Sequence, residues 1–174
     1  MIKDCNARRD SIPTGSIRWD SSWPESAEEG DRKRLLSYLE ERFGIQQTLF
    51  NDFLLFKKKK SWWLIKDSPL IPRSSGLKVW RVGLKAFQEV GSYIKPTTRI
   101  IQSFGHKALR AFMDIKEGDL ERLAAGEFIP ADMEIDNGYI ILVMKGRILG
   151  LGLLIDGMAR SQIPRRDVRF MNHR

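Results

Sequence analysis

The chain has 174 residues and 20.1 kDa, with 42% hydrophobic and 30% charged side chains, which is room for one ordinary domain or two small ones and too little for a large multi-step enzyme. A single cysteine, Cys5, excludes a disulfide framework and a Cys-based zinc cluster. No apolar run reaches the roughly 20 residues of a membrane helix or forms the apolar stretch of a secretory signal, so a soluble, cytoplasmic protein with no membrane partner is expected.

The 30 Lys+Arg outnumber the 22 Asp+Glu, for a net charge of +8 and a pI of about 9.8. Such a balance favours an anionic partner, nucleic acid before an acidic membrane surface or an acidic protein. The charge is unevenly placed. Residues 31–98 hold 14 basic and 6 acidic side chains and residues 157–174 hold 5 and 1, whereas 1–30 and 99–156 are mildly acidic.

Residues 1–30 mix Ser, Pro, Gly and acidic residues with no apolar period, which predicts a flexible or loosely docked extension. Trp19 and Trp23, one helical turn apart, are its exception and are expected to dock, on this chain before a partner. From Asp31 the residues Leu35, Leu36, Leu39 and Phe43 form one stripe of an amphipathic helix. Its other face carries Arg32, Lys33, Arg34, Glu40, Glu41 and Arg42, and Gly44 is placed to stop it.

Two apolar runs, Phe53 to Phe56 and Ser61 to Ile65, flank the charged break Lys57 to Lys60 and predict a hairpin. After a loop with Pro69, Pro72 and Gly76, the alternation of Leu77 to Leu84 predicts a strand. Ala86 to Ile94 fits a short helix or a strand ended before Pro96. Pro96-Thr97-Thr98 reads as a joint, dividing the chain into units 31–98 and 99–174.

In the second unit, Ile100, Ile101, Phe104, Ala108, Leu109 and Phe112 have helical spacing over a segment read as Arg99 to Ala111, interrupted by Gly105. A short helix around Asp119 to Leu123 closes near Gly126. Gly138 to Met144 is β-branched and aromatic and predicts a strand; Lys145-Gly146-Arg147 turns, and Ile148 to Ile155 returns. Gly150 and Gly152 in that return strand leave room for another backbone or a ligand.

No catalytic constellation stands out. The glycines at 150, 152 and 157 do not have dinucleotide-fingerprint spacing, and no Walker motif is present. His106 and His173 lack a metal-ligand spacing, and Cys5 lacks a histidine at a useful spacing. Asp114, Glu117, Asp119 and Glu121 surround a helix start, where capping and the helix dipole explain them. No cofactor or metal is therefore expected. Lys57, Lys58, Lys59 and Lys60 beside Trp62 and Trp63 have the composition of an RNA contact, or of a solvated hairpin tip over core indoles. Arg160, Arg165, Arg166, Arg169 and Arg174 supply guanidinium forks suited to phosphate, or simply a solvated face.

The run Gly138-Tyr139-Ile140-Ile141-Leu142-Val143, then Gly146-Arg147-Ile148-Leu149-Gly150-Leu151-Gly152, then Ile163-Pro164-Arg165-Arg166, resembles a PUA domain. More specifically it is similar to the PUA-like C-terminal region of Sun-family RNA cytosine-5 methyltransferases and of small stand-alone relatives linked to ribosome biogenesis. Leu120-Glu121-Arg122-Leu123 with Gly126-Glu127 matches the helix of that pattern, and Tyr38 to Ile45 resembles the domain that precedes PUA. The likeness covers about residues 31–170.

The resemblance implies an α+β fold, a small α/β unit followed by a PUA-like β pseudo-barrel that binds structured RNA, rRNA or tRNA. Lys107, Arg110, Lys145, Arg147, Arg160, Arg165 and Arg166 would be its RNA contacts and Lys57 to Lys60 an accessory patch. Those methyltransferases also carry a cofactor-binding domain and a Pro-Cys and Thr-Cys pair, and neither is found in this sequence. The expectation is therefore a protein that is not an enzyme, binding RNA in rRNA or tRNA maturation. The alternative is a protein-interaction subunit of an RNA-modification or ribosome-assembly complex, meeting a methyltransferase or assembly factor through Trp19, Trp23 and an exposed edge strand.

Overall fold

A computed structural model describes residues 19–164. The helix expected from the leucine stripe is α1 (Glu29–Phe43), starting two residues before Asp31. Leu35, Leu36, Leu39 and Phe43 are all buried, and the helix ends at Gly44 with φ 71°. Its last open carbonyl is capped from the far half of the chain: the backbone N–H groups of Leu109 and Arg110 donate to Phe43 O at 2.8 and 3.2 Å.

The first sheet is an antiparallel meander, β1 (Glu25–Ser26), β2 (Phe53–Lys58), β3 (Ser61–Lys66), β4 (Leu84–Val90) and β5 (Tyr93–Pro96), paired in that order. The β2–β3 hairpin stands where the apolar runs predict it, but the strands continue into the lysines. Lys57 pairs with Trp62 and Lys58 with Ser61, so only Lys59 and Lys60 form the turn, with Lys59 at φ 55°. Ala86 to Ile94 resolves into parts of two strands around Gly91.

Leu77 to Leu84 is not the strand its alternation predicts. One helical turn, α2 (Leu70–Arg73), leads into an irregular segment, and pairing begins only at Leu84. The reason is where the backbone hydrogen bonds go. Ser75 O accepts from the Asp20 N–H at 2.8 Å, Leu77 O from Trp23 Nε1 at 2.9 Å, and the Val79 N–H donates to Ser22 Oγ at 2.7 Å, so residues 20–23 take the bonds a sheet neighbour would supply. Val82 still packs inward with Phe56 and Ile71, in a small cluster on the outer face of the sheet that also receives Trp23, Trp63 and Val79. Trp19 joins it, with ring centroids 4.8 Å from Trp23 and 6.3 Å from Phe56. Residues 19–26 are thus docked on this chain; residues 1–18 lie outside the described residues.

α3 (Thr98–Phe104) opens the second half, with Thr97 Oγ1 accepting the Ile100 N–H. The expected helix through Ala111 stops early: a single 3-10 turn, Gly105–Lys107, follows, and Ala111, at φ 61°, redirects the chain into β6 (Phe112–Asp114), a strand not expected from the spacing. α4 (Glu117–Ala125) closes at Gly126. β7 (Phe128–Pro130), β8 (Gly138–Met144), β9 (Arg147–Ile155) and β10 (Met158–Ser161) complete a second sheet ordered β6-β8-β9-β10-β7, in which only β6 runs parallel to its neighbour. The protein is therefore mixed α/β with two sheets. No helix among the described residues is long and apolar enough to cross a membrane.

One core serves both sheets. Leu35, Leu39, Phe43, Trp62 and Phe87 belong to the same buried cluster as Ile100, Ile101, Ile140, Ile141 and Leu151. Two polar ties reinforce it across the sequence. Arg42 Nε and Nη1 donate to Tyr139 O at 2.7 Å and Asp136 O at 2.9 Å, and Lys95 Nζ donates to Gln162 Oε1 at 2.6 Å. Burial holds the Lys95 ammonium below its ordinary pKa. Arg42, assigned by its helical position to the solvent face, is in fact the residue that fastens α1 to β8.

Candidate nucleic-acid interface

Each group of cations singled out in the sequence has a definite place. In the first half, Lys57 Nζ sits 2.9 Å from Asp31 Oδ2 and 5.3 Å from the centre of the Trp62 ring. The Trp62 indole N–H reaches the same carboxylate oxygen at 3.0 Å, and Arg34 reaches the other at 2.9 Å. Burial works against the Asp31 charge, but the hydrogen bonds from Lys57 and Trp62 outweigh it and hold the carboxyl below its ordinary range. Lys57 is thus engaged by the protein itself, and Trp62, 1% exposed, presents no face to a base. Trp63 points to the opposite side, into the outer cluster. Lys58 donates to Ser22 O at 2.9 Å; Lys59 and Lys60 project at the hairpin tip.

In the second half the β8–β9 turn carries Lys145 and Arg147. Lys145 (φ 51°) and Gly146 (φ 73°) form a two-residue loop in which both central residues have positive φ, the geometry that suits the twist of a hairpin. Lys145 and Arg147 are exposed at that end. α3 packs on the same end of β9, where Gln102 Nε2 donates to Leu149 O at 2.8 Å, and the exposed Lys107 lies just beyond this helix. Lys145 is ion-paired to Glu117 of α4, both side chains being mostly exposed, and that pair holds the Glu117 carboxyl below its ordinary range.

The other cations stand apart. Arg160 lies opposite Leu153 of β9, six residues from Arg147 and so about 20 Å along the strand, with its guanidinium 5.6 Å from the Phe128 ring. Arg110 turns the other way and donates to Glu40 O at 3.0 Å, beside a cleft that also carries Glu41, Glu134 and Asp136. Arg165 and Arg166 lie outside the described residues.

The glycines of β9 do not open a ligand site. A Cβ on Gly150 would stand 2.6 Å from Thr98 Cγ2 and 2.9 Å from Ile163 Cγ1, and one on Gly152 would stand 3.0 Å from Ile140 and Leu142. The room expected there is filled by this chain's own core. What the arrangement offers is a cationic turn at the end of the β8–β9 hairpin.

No protein-family model matches the chain. Over 124 residues, 68% of the chain, the sequence is 26% identical to ribosomal RNA small subunit methyltransferase F of Psychromonas ingrahamii, and the match spans 26% of that relative's length. This similarity supports the relation to Sun-family methyltransferases. It also corrects one expectation. The relative matched over most of this chain is itself an enzyme, which counts against reading the chain as not an enzyme.

Two further surface residues, Lys116 and Trp80, escape the sequence pattern. Lys116, exposed at the N-cap of α4, adds a cation next to the Glu117–Lys145 pair. Its only signal in the sequence is its place just before a helix. Trp80, rather than Trp62 or Trp63, is the exposed indole of the basic half. The alternation of Leu77 to Leu84 concealed it, since a strand reading makes every second residue of that run half-buried. The two tryptophans invoked for a protein partner, Trp19 and Trp23, are instead packed on Phe56.

Proposed function

We propose that this chain works in ribosomal RNA modification, providing a surface that holds the RNA for the kind of reaction the relative is named for. The observation that carries this reading is the similarity to a ribosomal RNA small subunit methyltransferase across 68% of the chain. The second sheet, in this reading, is a PUA-like unit. Its β8–β9 turn meets the phosphates through Lys145 and Arg147, with Lys107, Arg110, Arg160, Arg165 and Arg166 as outlying contacts and Lys58 to Lys60 as an accessory patch. Lysine and arginine at an exposed turn neutralise phosphates without reading bases, so affinity depends on RNA shape and falls steeply with salt.

The test is filter binding of small-subunit rRNA transcripts against heparin as competitor, over a range of salt. The double variant Lys145→Gln with Arg147→Gln is expected to weaken binding and to flatten the log-affinity against log-salt slope by about 1.8, at roughly 0.9 for each phosphate no longer neutralised. Transcripts held no tighter than heparin, or a double variant with unchanged affinity and slope, would overturn the reading.

A further inference from the structure

Trp80 has the greatest fractional exposure of any large apolar side chain among the described residues, 90%. Its segment is not loose. The Val79 N–H is bonded to Ser22 Oγ at 2.7 Å, and Trp23 Nε1 donates to Leu77 O at 2.9 Å. Val82, two residues on, is buried against the outer cluster. A pinned backbone therefore holds the indole out in water, forgoing the large apolar burial a tryptophan normally gains.

The surroundings select what it is held out for. Residues 53–81 contain 8 Lys+Arg and 1 Asp+Glu. Lys58 and Arg81 line the same notch as Trp80, and Lys59 and Lys60 project from the neighbouring hairpin tip. Among the described residues no ion pair engages Lys58, Lys59, Lys60 or Arg81, while Lys78 stands near enough to the Asp20 carboxylate to help lower its pKa. The notch holds only about 20 Å³, space for a water but not for a base, so a ligand lies across the open face of the ring. A protein partner covering this indole would have to desolvate the cations around it, whereas a nucleic-acid strand brings one phosphate per base to neutralise them.

We propose that Trp80 is a stacking platform for an unpaired RNA base, with Arg81 and the lysines Lys58 to Lys60 holding the flanking phosphates. This rests on the reading of RNA as the ligand, and it concerns a different face from the β8–β9 turn. Structured RNA thus engages one sheet while a single-stranded stretch engages the other. Stacking tolerates any base, so the site selects strandedness rather than sequence.

Fluorescence anisotropy of a short labelled oligouridine with the full chain tests it. Trp80→Ala is expected to weaken oligouridine binding about tenfold, and Trp80→Phe to retain most of the affinity, since base–aromatic stacking by one ring supplies an effect of this size. Lys59→Gln with Lys60→Gln should flatten the salt slope by about 1.4, at roughly 0.7 for each single-strand phosphate released. Near-ultraviolet circular dichroism checks that each variant is folded. Unchanged oligouridine affinity in Trp80→Ala overturns the proposal and leaves the indole to a protein partner, while rRNA binding through Lys145 and Arg147 stands or falls on its own assay. Weak binding by the wild type, no tighter than that of Trp80→Ala, overturns it as well.

Discussion

The guanidinium of Arg42 lies directly against the Cα of Gly138. A Cβ on Gly138, whose φ is 145°, would stand 3.1 Å from Arg42 Cζ, and the same guanidinium donates to the carbonyls of Tyr139 and Asp136. Helix α1 is thereby locked to the first residues of β8 through a space only a glycine leaves. Gly138→Ala is expected to cost about 1–3 kcal/mol, from backbone strain and displacement of the guanidinium. Arg42→Ala, which strips two carbonyls of their donors, should cost about 2–4 kcal/mol. In urea titrations the double variant should lose less than the sum, because once the guanidinium is gone the added methyl meets empty space. Strict additivity would show that the two residues act separately.

Asp31 predicts an acid limb of stability. Its carboxyl ionises below the ordinary 3.8 because Lys57 and Trp62 hydrogen-bond the charged form against the cost of burial. A depressed folded pKa means that the unfolded chain binds more protons in acid, so the contribution is full above about pH 4 and is lost as pH falls through the folded value. Asp31→Asn should lower stability at pH 7 by about 1–2 kcal/mol and flatten the decline below pH 4, measured as urea midpoints across the acid range. An unchanged acid decline in the variant would place the responsible carboxylate elsewhere.

Thr98 and Ile163 close over Gly150, so only a glycine fits at that point of β9. Gly150→Ala should lower the melting temperature by more than 5 °C, the shift that roughly 2 kcal/mol produces in a domain of this size. Thr98→Ser, which removes the Cγ2 methyl standing 2.6 Å from the added Cβ, should recover part of that loss. Failure of the serine to help would mean that backbone strain at φ 153°, not crowding, is the dominant cost.

The shared core predicts one unfolding transition. All five tryptophans lie within residues 19–80 and so report the first half alone, whereas far-ultraviolet circular dichroism reports both. The two curves should superimpose in urea, and residues 99–174 expressed alone should not unfold cooperatively, having lost Leu39, Phe43 and Phe87 from their core. Two separated midpoints would show independent domains on either side of Thr98.

Glu117 gives a surface test in the opposite direction. Its exposed pair with Lys145 is screened by solvent and contributes little to folding, so Glu117→Gln should leave the urea midpoint unchanged. By freeing Lys145 and removing a negative charge from the proposed rim, it should tighten rRNA binding about threefold at low salt and less at high salt. Filter binding at two salt concentrations measures it, and weaker binding would argue that the pair positions Lys145 for its role at the RNA.

The sequence alone determined those elements whose signal is local. The leucine stripe of α1 with its stop at Gly44, the β2–β3 hairpin, α4 ending at Gly126, and β8 residue for residue all follow from apolar period and terminating glycines. The location of the positive charge was legible in the same way, since counting needs no coordinates. What only the tertiary structure decided depends on partners far along the chain. Residues 20–23 took the hydrogen bonds that turned the expected strand at 77–84 into a pinned loop and left Trp80 in water. Thr98 and Ile163 filled the space beside Gly150, and a carboxylate 26 residues away engaged Lys57 while Lys59 stayed at the tip. Local pattern specifies which face of an element is apolar; it carries no information about which distant group will meet the other face, and here that meeting separates cations held by the fold from those left to meet a ligand.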